Sequence, residues 1–215
     1  MILDTFNGFN VIALPSDTVP GVDGPASIEW DRNEMVAETD QAFGYQDQIF
    51  DWMQSMWSGQ LSFAPMARWS ADYWEAFLSE LRGPVNAFQI GDPMRAIPKG
   101  SPKGAPVVSG AGQTGYSLIT RGWADSSYRL LLPGDHIQIG YRMYKTLDSV
   151  QSDASGNATF RVWPNLRDQP ADGTQIKVSN CRGLFRLQSA QGNKSSTNIG
   201  SFGVNALAIR EADIA

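Results

Sequence analysis

The chain has 215 residues, 42% hydrophobic and only 18% charged, with a net charge of −5; that is enough for one large or two small domains with a real core. It contains no Lys/Arg-rich block, which disfavours binding to phosphate backbones, and its single cysteine, Cys181, excludes an internal disulfide and a Cys-based zinc site. No apolar run approaches the roughly 20 residues a bilayer span needs, and no charged stretch followed by an apolar one opens the chain, so the expectation is a soluble protein made in a reducing cytoplasm.

In chain order, residues 1–27 offer an apolar piece at 9–14, broken by Pro15, Pro20, Gly21, Gly24 and Pro25, which predicts an edge strand followed by a loop or arm. Residues 27–39 read as a strand that alternates at Ile28 and Trp30 and then turns at a polar tip, residues 31–34. Residues 42–57 carry Phe43 and Tyr45 in alternation. Ile49, Trp52, Met53 and Met56 also have helical spacing, but Ser58 and Gly59 favour a strand that turns into a further strand at 60–66. Residues 70–81 predict the one helix. Trp74, Phe77, Leu78 and Leu81 fall at i, i+3, i+4 and i+7 on one face. Ser70 stands as N-cap, Asp72 and Glu75 lie near the positive end of the dipole, and Arg82 is in the last turn. Gly83 takes the position after it, and Pro84 forbids continuation. A strand at 85–90 ends at Gly91, Asp92 and Pro93.

Residues 94–106, with three Pro and two Gly, predict a linker without regular structure, on which Lys99 and Lys103 are solvated. Short strand candidates then follow at 107–108, 116–120, 128–132, 136–141, 143–150, 158–163, 175–178 and 184–187. Turns separate them at Gly122, 133–135, 155–157, 172–173 and 182–183, a texture that indicates a small barrel or sandwich. The polar stretch 188–198 reads as a mobile loop, and residues 202–210 as a last strand that returns to the first domain. The division expected is a first domain at 1–95 completed by about 199–215, a linker at 96–106, and an inserted small β domain at 107–187.

The candidate chemistry is thin. Gly110, Gly112 and Gly115 match a dinucleotide-binding spacing, with Asp135 twenty residues beyond, but a strand rather than a helix is predicted after the third glycine. Tyr116 occupies the place of the lysine that a P-loop requires. Asp153, Ser155 and Asn157 fit the start of a calcium loop, but Ala158 and Pro164 replace its Gly and Glu, so a turn between strands is expected. The only histidine, His136, is expected at the surface end of a strand without a partner for base catalysis, and Cys181 as a passive thiol. Trp57, Trp69 and Trp74 suit core or interface packing better than sugar stacking. The expectation is no catalytic, cofactor-binding or metal-ligating residue, hence no enzyme.

The order of segments resembles the distal-tail, or minor tail, proteins of long-tailed (siphovirus-like) bacteriophages over about residues 40–190. The segments are Gln46–Gln48 with Trp52, Trp57, 61–66, Trp74 to Leu78 with Leu81–Gly83, Phe88 to Pro93, and Pro98 to Gly100. Gly112 to Gly115, Gly134 to Gly140, Tyr144, Trp163 to Arg167 and Gly183 to Leu187 complete the series. The resemblance implies a mainly β protein, with a β-sandwich or split-barrel belt domain carrying one packed helix and a second small β-barrel domain, OB-like or galectin-like. It implies a virion structural protein of the tail tip, six copies of which typically close into a ring between the tail tube protein and the baseplate hub, with the tape measure protein as a further partner. It implies no specific nucleic-acid partner and no membrane anchor. The alternative is a receptor- or carbohydrate-binding tail module, for which Trp123 or Trp163 would line a shallow groove. A tail-associated hydrolase would need an acidic pair that the sequence does not place.

Overall fold

A computed structural model describes residues 2–6, 8–39, 48–190, 195–198 and 201–213. The described fold is mainly β, with two large sheets and one long helix. The chain divides into two compact units. One comprises Met1–Asp31, Trp57–Asp92 and Arg182–Ala215, and the other Arg32–Met56 and Pro93–Cys181.

The first unit opens with strands β1 (Ile2–Phe6) and β2 (Phe9–Ile12), which pair antiparallel. Two of its other strands are β3 (Ser27–Thr39) and β4 (Gln48–Ser62), both of which continue into the second unit. After the long helix come β5 (Ala87–Ile90) and, late in the chain, β12 (Gly183–Leu187) and β15 (Leu207–Glu211); the sheet order is β1-β2-β5-β12-β15-β4-β3. The expected edge strand at 9–14 is therefore one place inside, parallel to β5, and β1 is the edge. Phe9, Val11 and Ile12 are all buried, and an edge position leaves such residues one neighbour short. For the same reason β12, whose Leu184 and Phe185 are buried on opposite faces, sits centrally in this sheet and not with the short strands before it.

Three predicted turns are absent, and one of them, Gly122, lies within the later strand Gly115–Trp123. Residues 31–34 continue β3, because a strand whose side chains face solvent accepts a polar run without bending. Ser58 and Gly59 lie within β4, where Ser55, Trp57, Gly59 and Leu61 alternate as buried positions. A Cβ on Gly59 would lie 2.3 Å from the Glu29 carbonyl oxygen, so this glycine serves a close backbone approach rather than a turn. The strand reading of residues 48–57 holds against the helical one, while the alternation at Phe43 and Tyr45 lies outside the described residues.

A one-turn helix α1 (Pro15–Thr18) precedes the long helix α2 (Arg68–Leu81). Ala67, not Ser70, is the N-cap of α2. Ser70 is buried and its hydroxyl accepts the Asp23 N–H at 3.1 Å, fixing an incoming loop in place of a helix end. Asp72 and Glu75 fall beyond the first turn, and Arg82 is itself the left-handed C-cap, followed by Gly83 at φ 67°. Asn86 finishes the end: its amide donates to the Glu80 carbonyl at 2.8 Å and its oxygen accepts the Asn10 N–H at 3.0 Å. The apolar stripe is as predicted in its main members, with Trp74, Phe77 and Leu81 buried. Phe77 meets Phe88 of β5 edge-on at 5.5 Å.

The second unit holds β6 (Gly104–Val108), β7 (Gly115–Trp123), β8 (His136–Ile139), β9 (Arg142–Thr146), β10 (Ala158–Leu166) and β11 (Ile176–Lys177), in the order β11-β8-β9-β10-β7-β6. The outer strands meet: Val107 bridges Gln175, and the Val108 N–H donates to the Thr174 carbonyl at 2.9 Å. The sheet is thus nearly closed into a barrel, which removes most of its free edge. Leu118, Ile137, Phe160 and Val162 fill it. Residues 94–106 are less irregular than their Pro and Gly suggest, with a 3-10 turn at Pro93–Arg95 and β6 from Gly104. Residues 128–132 make only the Leu131–Val150 bridge, because Arg129 has φ 53° and Pro133 follows. Near the end of the chain, β13 (Ser195–Asn198) pairs with β14 (Ser201–Val204). The expected loop at 188–198 therefore carries a strand in its last four residues, residues 191–194 lie outside the description, and the expected last strand is two, β14 and β15.

Candidate interaction surfaces

Several large apolar side chains are exposed on the distal parts of β3 and β4. Ile49, Phe50 and Trp52 are 67%, 59% and 57% exposed, with Met35 and Val36 exposed on the neighbouring strand. Phe50 and Trp52, two apart and so on one face, stack edge-on at 4.8 Å. The same strands are anchored by polar groups. Ser55 and Asn165 are both buried and exchange bonds: the Asn165 N–H donates to Ser55 Oγ at 2.9 Å, and Ser55 Oγ donates to Asn165 Oδ1 at 3.0 Å. Trp163 Nε1 donates to the Glu34 carboxylate. Met94 and Ile97 add exposed apolar side chains elsewhere on the second unit.

The residues weighed for chemistry are scattered. Gly110, Gly112 and Gly115 all have positive φ, and β7 starts at the third, so no helix N-terminus stands there for a pyrophosphate. His136 is buried at 3% exposure, not at the surface, because its strand lies inside the sheet between β11 and β9. Cys181 is also buried, and burial pushes its thiol up to about 12, so it stays protonated at neutral pH; its Sγ donates to the carbonyls of His136 and Lys177, each at 3.3 Å. Asp153 Oδ1 accepts the N–H groups of Ser155 and Asn157, both at 2.8 Å, closing a tight turn. Among the described residues no group of three or more His, Cys, Asp or Glu is placed to hold a metal ion, and no helix is long and apolar enough to cross a membrane.

The tryptophans divide. Trp57 and Trp74 are buried, whereas Trp69 is half exposed and meets the half-exposed Tyr73 edge-on at 6.4 Å. Trp123 and Trp163, expected to line a sugar groove in the alternative reading, are both buried. Trp123 Nε1 donates to Thr120 Oγ1 at 2.8 Å, and that hydroxyl donates to the Ala158 carbonyl at 2.7 Å; the indole is a core member with its polar atom satisfied. A further exposed ring of this unit, in addition to Phe50 and Trp52, is Tyr128, which the sequence places at the start of a strand. The polar run Asp125, Ser126, Ser127 just before it was the signal of a loop.

One exposed ion pair has a measurable signature. Arg121 grips Asp172 with bonds of 2.6 and 3.1 Å, and the Gly110 N–H donates to the same carboxylate at 2.7 Å. The side-chain bond from Arg121, then the Gly110 N–H, holds Asp172 down to about 2 from its ordinary 3.8. A carboxylate depressed on folding contributes fully above its unfolded value and loses that contribution as pH falls through its folded one. Carboxyl-carbon NMR should place the Asp172 midpoint near 2, and Arg121→Gln should move it toward 3.8. An unchanged midpoint in the variant would mean that the guanidinium does not set it.

The class defined by these features is a two-unit, mainly β protein with one long helix and an exposed apolar strand pair. Neither the family models nor the curated proteins compared with the chain match it.

Proposed function

We infer that the chain is a structural protein of a bacteriophage tail tip, of the distal-tail kind, whose copies close into a ring joining the tail tube to the baseplate hub. In this reading the first unit is the belt domain and the second an OB-like or galectin-like barrel. The protein makes and breaks no covalent bond; it is synthesised in the host cytoplasm and works in the virion. Its partners are further copies of itself, six in a ring, together with the tube, hub and tape measure proteins.

The observation that carries the reading is the strand pair β3 and β4, with Ile49, Phe50 and Trp52 exposed on it. β3 is an edge of the seven-stranded sheet and β1 is the other. Two open edges and an exposed aromatic cluster in one chain suit a repeating contact between neighbours, because a ring leaves no edge unpaired. The order of segments that resembles tail proteins supports the same reading, and a net charge of −5 suits a conduit that DNA must traverse without adhering.

The test is assembly. Native mass spectrometry and negative-stain microscopy of the purified protein, alone and with its tube and hub partners, should show rings. Phe50→Ser combined with Trp52→Ser should abolish them. Because both side chains are largely exposed, the double variant should change monomer stability by no more than about 1 kcal/mol. Monomers under every condition, or rings that persist in the double variant, would count against the proposal.

A further inference from the structure

We propose that Arg186 and Arg210, in the first unit, form a binding site for a carboxylate. The two face each other across the antiparallel pair β12 and β15. Directly opposed residues of such a pair project from the same face, with Cβ atoms about 4.5–5.5 Å apart. Two like charges there oppose folding, whereas opposite charges would support it. Elsewhere Arg121, Arg142, Arg161 and Arg182 each close on an aspartate. Among the described residues neither Arg186 nor Arg210 forms such a pair.

Phe9 fixes the first of the two cations. The Arg186 guanidinium carbon lies 4.1 Å from the centre of the Phe9 ring, and a cation over an aromatic face is attracted by the ring quadrupole. Phe9 is itself buried and belongs to β2, two places from β12 in the sheet, so the seat of the cation is sheet and not loop. Arg186 is half-buried. Its Nε is enclosed and meets no acceptor among the described residues, so solvent meets the side chain at its outer, Nη end. Burial and the Arg210 charge push the Arg186 guanidinium down from its ordinary value, and Asp213 pushes it back up; an arginine keeps its charge in a protein all the same. The cation is thus held in place before any ligand arrives, which lowers the ordering entropy that binding must overcome.

The charges select the ligand. Two guanidinium groups, less the Asp213 carboxylate that acts on Arg186, leave a single net positive charge. A monoanion cancels it, whereas a phosphate dianion exceeds it and is repelled by Asp213. A nucleic acid needs a row of cations, and the chain has no Lys/Arg-rich block. A planar carboxylate also fits the donors: in this same protein Arg121 gives Nη1 and Nη2 to the two oxygens of Asp172, at 2.6 and 3.1 Å. Arg210, which is exposed, supplies the second cation from the opposing strand. The carboxylate belongs to an acidic side chain of a partner protein or to a free small acid, since both present the same two oxygens. The site does not depend on the ring-forming role proposed above.

The ¹⁵N-labelled full chain would be titrated at constant ionic strength with sodium acetate, a penta-glutamate peptide and inorganic phosphate, following the arginine Nε–H resonances. At least one carboxylate probe should shift the Arg186 and Arg210 signals saturably and leave those of Arg121 and Arg161 in place. Tighter binding of the peptide, per carboxylate, assigns the ligand to a partner protein; equal binding of acetate assigns it to a free acid. Arg210→Gln should weaken the binding at least about tenfold and, by removing the opposed charge, raise the midpoint of thermal unfolding at low salt. Arg186→Lys, which keeps the charge and loses the fork, should also weaken it. No saturable shift with either carboxylate, tighter binding of phosphate, undiminished binding by Arg210→Gln, or a lowered midpoint in that variant would overturn the proposal.

Discussion

Trp74→Ala is expected to destabilise the first unit by about 3–5 kcal/mol, the range for removing a large aromatic from a packed core. The indole is fully buried. It meets Phe63 at 4.6 Å and Phe77 at 5.4 Å, both edge-on, so truncation opens a cavity that these rings cannot fill without leaving their own positions. A second loss adds to the first: Trp74 Nε1 donates to the Asp23 carbonyl at 2.8 Å, and that oxygen would be left without its donor. Trp74→Phe separates the two terms. It keeps much of the ring contact and deletes the N–H, and should cost about 1–2 kcal/mol. Phe77→Ala, which breaks the link from helix to β5, should also fall at about 3–5 kcal/mol. Urea unfolding followed by tryptophan fluorescence and by circular dichroism would measure all three. A loss below about 1 kcal/mol for Trp74→Ala would mean that α2 is not held by this cluster. If the ring is the working form, the alanine variants should also fail to assemble, because a marginally stable unit cannot sacrifice that much.

The helix was legible because its signal is local. Trp74, Phe77 and Leu81 repeat at the helical period, and Gly83 and Pro84 end the run; the residues that decide the element lie within it. The short barrel strands were legible for the same reason, since Gly134 and Asp172 with Gly173 punctuate them, although Gly122 lies inside β7 and ends no strand. What could not be read is what depends on distant chain. Gly59 looks like a turn until the Glu29 carbonyl is seen beside it. Ser70 looks like a cap until the Asp23 N–H occupies its hydroxyl, and Ala67 takes the cap with no side-chain bond at all. β12 has the sequence of a barrel strand and pairs instead with β5 and β15, a choice made by partners that are almost a hundred residues earlier and about twenty later in the chain.

The candidate surfaces follow the same division. The sequence holds seven Trp, six Tyr and ten Phe, but which of them are exposed is not written in its composition. Trp123 and Trp163 are drawn inside because Thr120 and Glu34 accept their N–H groups. Tyr128 is left outside in a segment where Ser126 and Arg129 are left-handed. Neither outcome has a periodic signature.

Asp135→Ala is the second variant from which a large loss is expected, about 2–4 kcal/mol in the second unit, since buried bonds to a charged acceptor are worth more than neutral ones. Its position twenty residues after a glycine-rich stretch invites a cofactor role, but its carboxylate faces inward at 3% exposure. Oδ1 accepts the Lys99 N–H at 2.8 Å; Oδ2 accepts the N–H groups of Gly100 at 3.0 Å and Leu132 at 2.8 Å. One side chain thus ties the segment before β6 to the turn that leads into β8. The segment must run close for this to happen, and Gly100 permits it: a Cβ there would lie 2.4 Å from the Leu130 carbonyl oxygen. Alanine would leave three N–H donors without an acceptor. Asparagine would restore one oxygen but turn an NH₂ toward donors that need an acceptor, so it should recover only part of the loss. Native-state hydrogen exchange gives the specific readout: the amides of Lys99, Gly100 and Leu132 should lose protection together, ahead of those in β7 and β10. Uniform loss across the barrel would mean that the carboxylate supports the unit as a whole, and unchanged exchange at those three amides would remove it from the role assigned here.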